Sequence, residues 1–238
     1  MNRIQLKQRA RELVKTAKPS PVVAGLIFAV MLLIFGLLIS RLSGVKVDTR
    51  IVQDYFLNFD MEGFYAYVTS QFPTPVEMLL SALLSLLELI LSAGFTIFIL
   101  NTVNGTEASL WNLLDGFSSF FRIIWLSILS SVFVFLWSLL LIVPGIIAVY
   151  KYRLALYLLL ENPNMRAIDC LRESKRLMRG HKWQLFVLDL SFIGWFILCG
   201  IPYVGTAVRV WTAPFYRTSC VLFYKQRLAE DAAPNLEF

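Results

Sequence analysis

Between Leu139 and Trp195 two apolar runs carry charges inside them, Lys151 and Arg153 in the first and Asp189 in the second. An ionisable side chain at the centre of a hydrocarbon layer costs several kcal/mol, so such residues persist where they face protein, water or a ligand. The pattern therefore points to an all-α, polytopic membrane helical bundle with a polar interior. Composition agrees: of 238 residues 58% are hydrophobic and only 16% charged, and the mean hydropathy of +0.66 is too high for a soluble domain of this length. The net charge of +6 would suggest nucleic acid in a soluble chain. Here the basic residues cluster beside apolar runs, as the positive-inside rule describes, and no nucleic-acid motif accompanies them.

In chain order, residues 1–19 form a basic amphipathic helix with Leu6, Ala10, Leu13, Val14 and Ala17 on one face, suited to lying on an anionic leaflet. About six transmembrane helices follow, over residues 22–40, 75–103, 123–143, 146–161, 183–199 and 206–224. The first is read as an uncleaved span, because Arg41 follows directly and no small-residue cleavage site is visible. The outer loop, 41–74, is rich in aromatic residues and has room for a short interfacial helix. Thr74-Pro75-Val76-Glu77 is a capping box with proline at the first helical position, and Asn104-Gly105 supplies a stop. Within that helix Glu77, Ser81, Ser85, Glu88, Ser92 and Thr96 recur at helical spacing, a seam for packing against other helices. Residues 107–115 form a short interfacial helix. Pro144-Gly145 makes the turn after span three, a cytoplasmic interfacial helix covers 165–180, and 225–238 is a loose cytoplasmic tail.

The stretches that follow one another here, Ile142-Val143-Pro144-Gly145-Ile146-Ile147, Ser174 to Met178, Gly180-His181-Lys182-Trp183, Phe186 and Leu190 to Trp195, resemble the bacterial integral membrane family called domain of unknown function 975. Asp115-Gly116-Phe117, Pro214-Phe215-Tyr216 and Phe223-Tyr224 are similar to that family's central and closing motifs. The resemblance implies a multi-span fold in a bacterial membrane and no particular activity.

Basic residues concentrate before span one and between spans four and five, so an even span number puts both ends on the cytoplasmic side of the cell membrane. On this topology Glu88 and Arg153 fall near mid-depth, while Asp189 and Arg217 fall at a similar depth nearer the inner face. The expected pairs are Glu88 with Arg153 and Asp189 with Arg217. Lys151 and Arg209 remain, both about two helical turns from the outer surface, where they either snorkel independently or meet an anionic headgroup. These six residues are the candidate intramembrane polar site.

Catalysis is not expected. His181 is the only histidine and sits at a membrane boundary, so neither a histidine triad nor a His-based zinc site can be built, and there is no glycine-rich phosphate loop. No cofactor or metal is expected, and Cys170, Cys199 and Cys220 have neither metal-like spacing nor a disulfide pattern. Two classes of function remain. One is a transporter or binding bundle for an anionic amphiphile or lipid, motivated by the surplus of cations within the spans. The other is a membrane scaffold or accessory subunit whose cytoplasmic helix 165–180 holds a protein partner.

Overall fold

Helix periodicity and apolar length carry through to the computed structural model, which describes residues 3–42, 54–55, 57–58, 60–70, 72–199 and 204–232. Its helices are α1 (Arg3–Thr16), α2 (Pro21–Leu42), α3 (Met61–Ser70), α4 (Pro75–Asn104), α5 (Phe120–Leu140), α6 (Ile142–Tyr152), α7 (Ala155–Glu161), α8 (Ala167–Leu177), α9 (Lys182–Leu190), α10 (Ile193–Cys199) and α11 (Val204–Ala232). No strand occurs among the described residues. The chain divides into two units, one of Met1–Ala29 with Ile90–Phe238 and one of Val30–Leu89.

Among the described residues four segments are long and apolar enough to cross a membrane: Pro21–Ile39, Pro75–Asn104, Asp115–Leu140 and Ile142–Glu161. The pair α9 and α10, bent by 49°, makes a fifth if it is one span. The sixth expected span, α11, is long enough but carries Arg209 and Arg217 and falls short in hydropathy. Its surroundings explain the tolerance: Thr212, Phe215, Thr218, Ser219, Cys220 and Val221 are all buried, so this helix is packed by protein and need not satisfy lipid.

In the unit of residues 30–89 the capping box forms as expected. The Thr74 amide donates to Glu77 Oε2 at 2.6 Å and the Glu77 amide to Thr74 Oγ1 at 3.3 Å. In α3, Asp60 caps the start by accepting from the Gly63 amide. Large apolar side chains of this unit, among them Leu33, Ile34, Leu37, Leu79 and Leu83, are exposed, the surface a helix offers to hydrocarbon.

In the larger unit the core is built on Phe95, Phe98, Ile99, Ile123, Leu154, Leu171, Phe192 and Tyr224, all nearly or fully buried. The helix expected over 107–115 is instead two 3₁₀ turns, Leu110–Leu113 and Asp115–Ser119. They lie tight against α4: a side-chain carbon on Gly94 would collide with the Leu113 carbonyl, and one on Gly116 with the Ile90 carbonyl. That close approach is what glycine in Asp115-Gly116-Phe117 permits. The turn after α5 also differs from expectation. It falls at Leu141, in extended conformation, and Pro144 lies in the first turn of α6, where a missing amide hydrogen costs nothing. Gly145 then lets α6 press on Ser138 of α5.

Two further corrections concern the amphipathic segments. Leu6, Ala10 and Val14 of α1 are buried and α1 packs on α11, so its apolar face is turned to protein rather than to a leaflet. On α8, expected to lie at the membrane interface, the residues Ala167, Cys170, Leu171, Ser174, Leu177 and Met178 are buried against α5, α6, α7 and α11, while Ile168 is exposed. The expected loose tail is helical to Ala232. It is held by Lys225 to Glu161, by Arg227 to His181 and by Asp231 to Arg176; residues 233–238 lie outside the described ones.

The fourth span is interrupted at Arg153–Leu154. Ser174 of α8, fully buried, enters the gap: its hydroxyl accepts from the Leu154 amide at 3.2 Å and donates to the Lys151 carbonyl at 2.9 Å. An unpaired buried backbone group costs about 1–3 kcal/mol. Ser174→Ala is therefore expected to lower the unfolding free energy in detergent by about that amount, whereas Ser131→Ala, at an exposed position of α5, leaves it within about 0.5 kcal/mol; thermal or denaturant unfolding of the two variants checks it.

Candidate functional site

The interruption at Arg153 brings a guanidinium to the C-terminal end of α6, where the helix dipole favours a cation. Arg153 Nη2 donates to the Tyr216 hydroxyl at 2.5 Å, and that hydroxyl donates to Asp189 Oδ1 at 2.9 Å. Asp189 stands near the end of α9, just before the second interruption, and Tyr150 of α6 lies beside it. The Tyr216 ring is wedged edge-on against Phe192 and Phe196, each with its centroid 5.2 Å away. One tyrosine of α11 thus ties together the two interrupted spans, by its ring to one and by its hydroxyl to the charge of each.

Lys7 of α1 closes the second interruption from outside. Its ammonium donates to the Ser191 carbonyl at 3.1 Å and sits 4.2 Å from the Phe192 ring centroid. Burial, with Arg11 and Arg3 nearby, holds this lysine below its ordinary pKa. Basic side chains near a helix C-terminus commonly satisfy its last carbonyls in this way.

Arg217 has hydroxyl and carbonyl partners. It donates to the Ser92 carbonyl and the Thr96 hydroxyl from Nη1, at 2.7 and 2.8 Å, and to the Ser92 hydroxyl from Nη2 at 2.7 Å. The rings of Phe28 and Phe95 each lie 5.0 Å from the guanidinium carbon. The small-residue seam read from the sequence is realised at Ser92 and Thr96.

The structure rearranges the expected partnerships. Asp189 reaches Arg153 through Tyr216, and it does not pair with Arg217, which meets no carboxylate among the described residues. Arg153 has taken the tyrosine in place of the expected Glu88, which is half-buried in the unit of residues 30–89. Lys151 and Arg209 do not form a common site. Arg209 is exposed and donates weakly to the Cys199 carbonyl at 3.4 Å. Lys151 lies over Trp137 and Tyr152, 5.0 and 5.2 Å from their ring centroids, and faces Lys175, Arg179 and Lys182.

A second polar layer lies toward the basic ends of the helices. Glu161, at the end of α7, accepts from Asn104 at 3.0 Å, Tyr224 at 2.9 Å and Lys225 at 2.5 Å. Arg122 donates to the carbonyls of Leu159, Asn162 and Met165 and so closes the C-terminus of α7. Arg176 is held above its ordinary pKa by hydrogen bonds to Glu173 and Asp231. Among the described residues no three His, Cys, Asp or Glu side chains converge as a metal site would require, and the cysteines are free.

Ser174, Tyr216 and Lys7 were not among the sequence candidates. Tyr216 carried one signal, its place in Pro214-Phe215-Tyr216 beside a charged residue of the same helix; Ser174 carried another, a hydroxyl on the apolar side of an amphipathic helix. Tyr216→Phe removes two hydrogen bonds to charged groups, which are worth about 1.5–3 kcal/mol each in general. It is expected to destabilise the wild-type background by at least that much and an Asp189→Asn background by distinctly less; a double-mutant cycle of unfolding free energies reads the difference, and strictly additive losses would contradict the bridge.

No curated protein and no solved structure matches the chain. Residues 139–230 match the family described as "Protein of unknown function (DUF975)". The match begins at the end of α5 and leaves Asp115-Gly116-Phe117 outside it. This segment, which supplies Arg153, Ser174, Asp189 and Tyr216 together, is the part of the chain that is similar to that family.

Proposed function

We propose that the chain is a multi-span protein of the cytoplasmic membrane, with both ends on the cytoplasmic side, that catalyses no reaction and instead binds or moves an anionic amphiphile such as a charged lipid. The observation that carries this reading is an imbalance of charge. Of Lys151, Arg153, Arg209 and Arg217, only Arg153 is joined to a carboxylate among the described residues, and that through a tyrosine. The others are met by hydroxyls, carbonyls and aromatic faces, which stabilise a cation without cancelling its field. An apolar body with unneutralised positive charge is complementary to a molecule with an apolar tail and a negative head.

The competing reading, a scaffold that holds a protein partner on the helix at 165–180, would have to use the basic side of α8, since its apolar side is turned inward. What remains outward is Ile168 among Arg166, Arg172, Lys175, Arg176 and Arg179, a mainly basic surface that would suit an acidic partner.

Full-length protein extracted from its membrane in a mild detergent, with its lipid then analysed, distinguishes the two. Anionic lipids are expected at threefold or more above their share in the whole membrane. A retained lipid composition equal to that of the bulk membrane, with an acidic protein crosslinked to α8 in its place, would overturn the proposal.

A further inference from the structure

Lys151 opens into a groove of about 410 Å³ between the end of α5, the start of α6 and the C-terminal end of α8. Four cations line it: Lys151, Lys175, Arg179 and Lys182. None of them has a carboxylate partner among the described residues; the acidic residues of α8 are used elsewhere, Asp169 by Arg172 and Glu173 by Arg176. The floor is Trp137, Pro144, Ile147 and Ala148. Beyond it the outward side of the α5–α6 hairpin is unbroken hydrocarbon: Leu140, Leu141, Ile142 and Val143 are each about two-thirds exposed or more.

Four like charges facing one cavity repel, and the repulsion is least screened for Lys151, which is half-buried beside the rings of Trp137 and Tyr152. The arrangement is stable in the presence of a concentrated negative charge. We infer that this groove is the seat of a phosphate-bearing lipid headgroup carrying two or more negative charges, with its acyl chains lying along the exposed apolar side of α5 and α6. The inference rests on the anionic-amphiphile reading and adds the place and the chemical class. Basic pockets beside spans are the usual means by which lipid phosphates are held, and the lysine ammonium with the arginine fork supplies both point charge and bidentate contact. A doubly charged phosphomonoester is favoured over a singly charged phosphodiester because the groove offers more cations than one negative charge can neutralise.

The test uses full-length protein in a neutral detergent, with native mass spectrometry of binding by dioctanoyl phosphatidate, dioctanoyl phosphatidylglycerol, dioctanoyl phosphatidylcholine and inorganic phosphate. Phosphatidate is expected to bind at least tenfold more tightly than phosphatidylglycerol and far more tightly than inorganic phosphate. The triple variant Lys175→Gln, Arg179→Gln, Lys182→Gln, whose positions lie at the protein surface, is expected to lose tenfold or more of that affinity. A control with three cations removed elsewhere, Arg9→Gln, Arg166→Gln, Arg172→Gln, is expected to stay within twofold of wild type. Equal losses in both variants, or none in the groove variant while anionic lipid is still preferred, would reject the groove and leave the wider reading standing. Inorganic phosphate binding as well as phosphatidate would replace the lipid by a free anion. No preference for anionic over zwitterionic lipid in any form would reject the wider reading itself.

Discussion

The hydroxyl of Ser174 sits where the fourth apolar segment stops being a helix. A backbone that leaves the i to i−4 ladder in apolar surroundings frees an amide and a carbonyl, and each must find a partner or impose a cost comparable to a lost hydrogen bond. One serine serves both, accepting from Leu154 and donating to Lys151. To reach them it must be wholly inside, which draws the apolar side of α8 against α6 and α7 and leaves its basic side outward. The same interruption turns Arg153 toward α11. The orientation of α8, the aim of Arg153 and the grouping of Lys151 with Lys175, Arg179 and Lys182 are therefore consequences of one local exchange of hydrogen bonds.

The way charge is handled follows from the cost of desolvation. Bringing a guanidinium and a carboxylate into direct contact away from water recovers that cost only when geometry is excellent and the remaining donors are satisfied. Here the tyrosine hydroxyl stands between them, donating to Asp189 and accepting from Arg153, so that each ion keeps a strong charge-assisted bond while the ring packs against Phe192 and Phe196. Arg217 uses another solution, three polar contacts and the stacked pair of rings of Phe28 and Phe95 beside it. Its five donors suit such a mixed setting better than a lysine ammonium would.

Much of the architecture was legible in the sequence because it is written in local periodicities: the apolar runs, the Thr74–Glu77 capping box, the Asn104-Gly105 stop, and the stripe that ends at Ser92 and Thr96. What was not legible depends on residues distant along the chain. Nothing in Tyr-Lys-Tyr-Arg-Leu-Ala, residues 150–155, forbids a continuous helix; no glycine or proline marks the break, and Ser174, which stabilises it, is twenty residues away. Depth counted along supposedly straight spans then misplaced the charges. With α6 only 11 residues long, Lys151 comes level with the end of α8 rather than with the far surface, and pairing by depth chose ions where the structure uses a tyrosine. The apolar face of α1 was legible at Leu6, Ala10 and Val14, but a hydrophobic stripe does not state whether lipid or protein covers it.

Interrupted helices in membrane proteins often mark a site where freed backbone groups hold a substrate or an ion. In this chain the freed groups are already engaged: Ser174 takes those between α6 and α7, and Lys7 takes the Ser191 carbonyl between α9 and α10. Arg153 and Asp189 are likewise satisfied by Tyr216. The interruptions thus bind the helices to one another and offer no unclaimed ligand at their centre. Arg217 keeps only hydroxyl, carbonyl and aromatic partners, and the largest group of cations without a carboxylate among the described residues lies in the groove beside Lys151. A break that engages its own freed backbone groups can still gather cations at the surface: the interruption that Ser174 closes also leaves Lys151 among the cations at the end of α8.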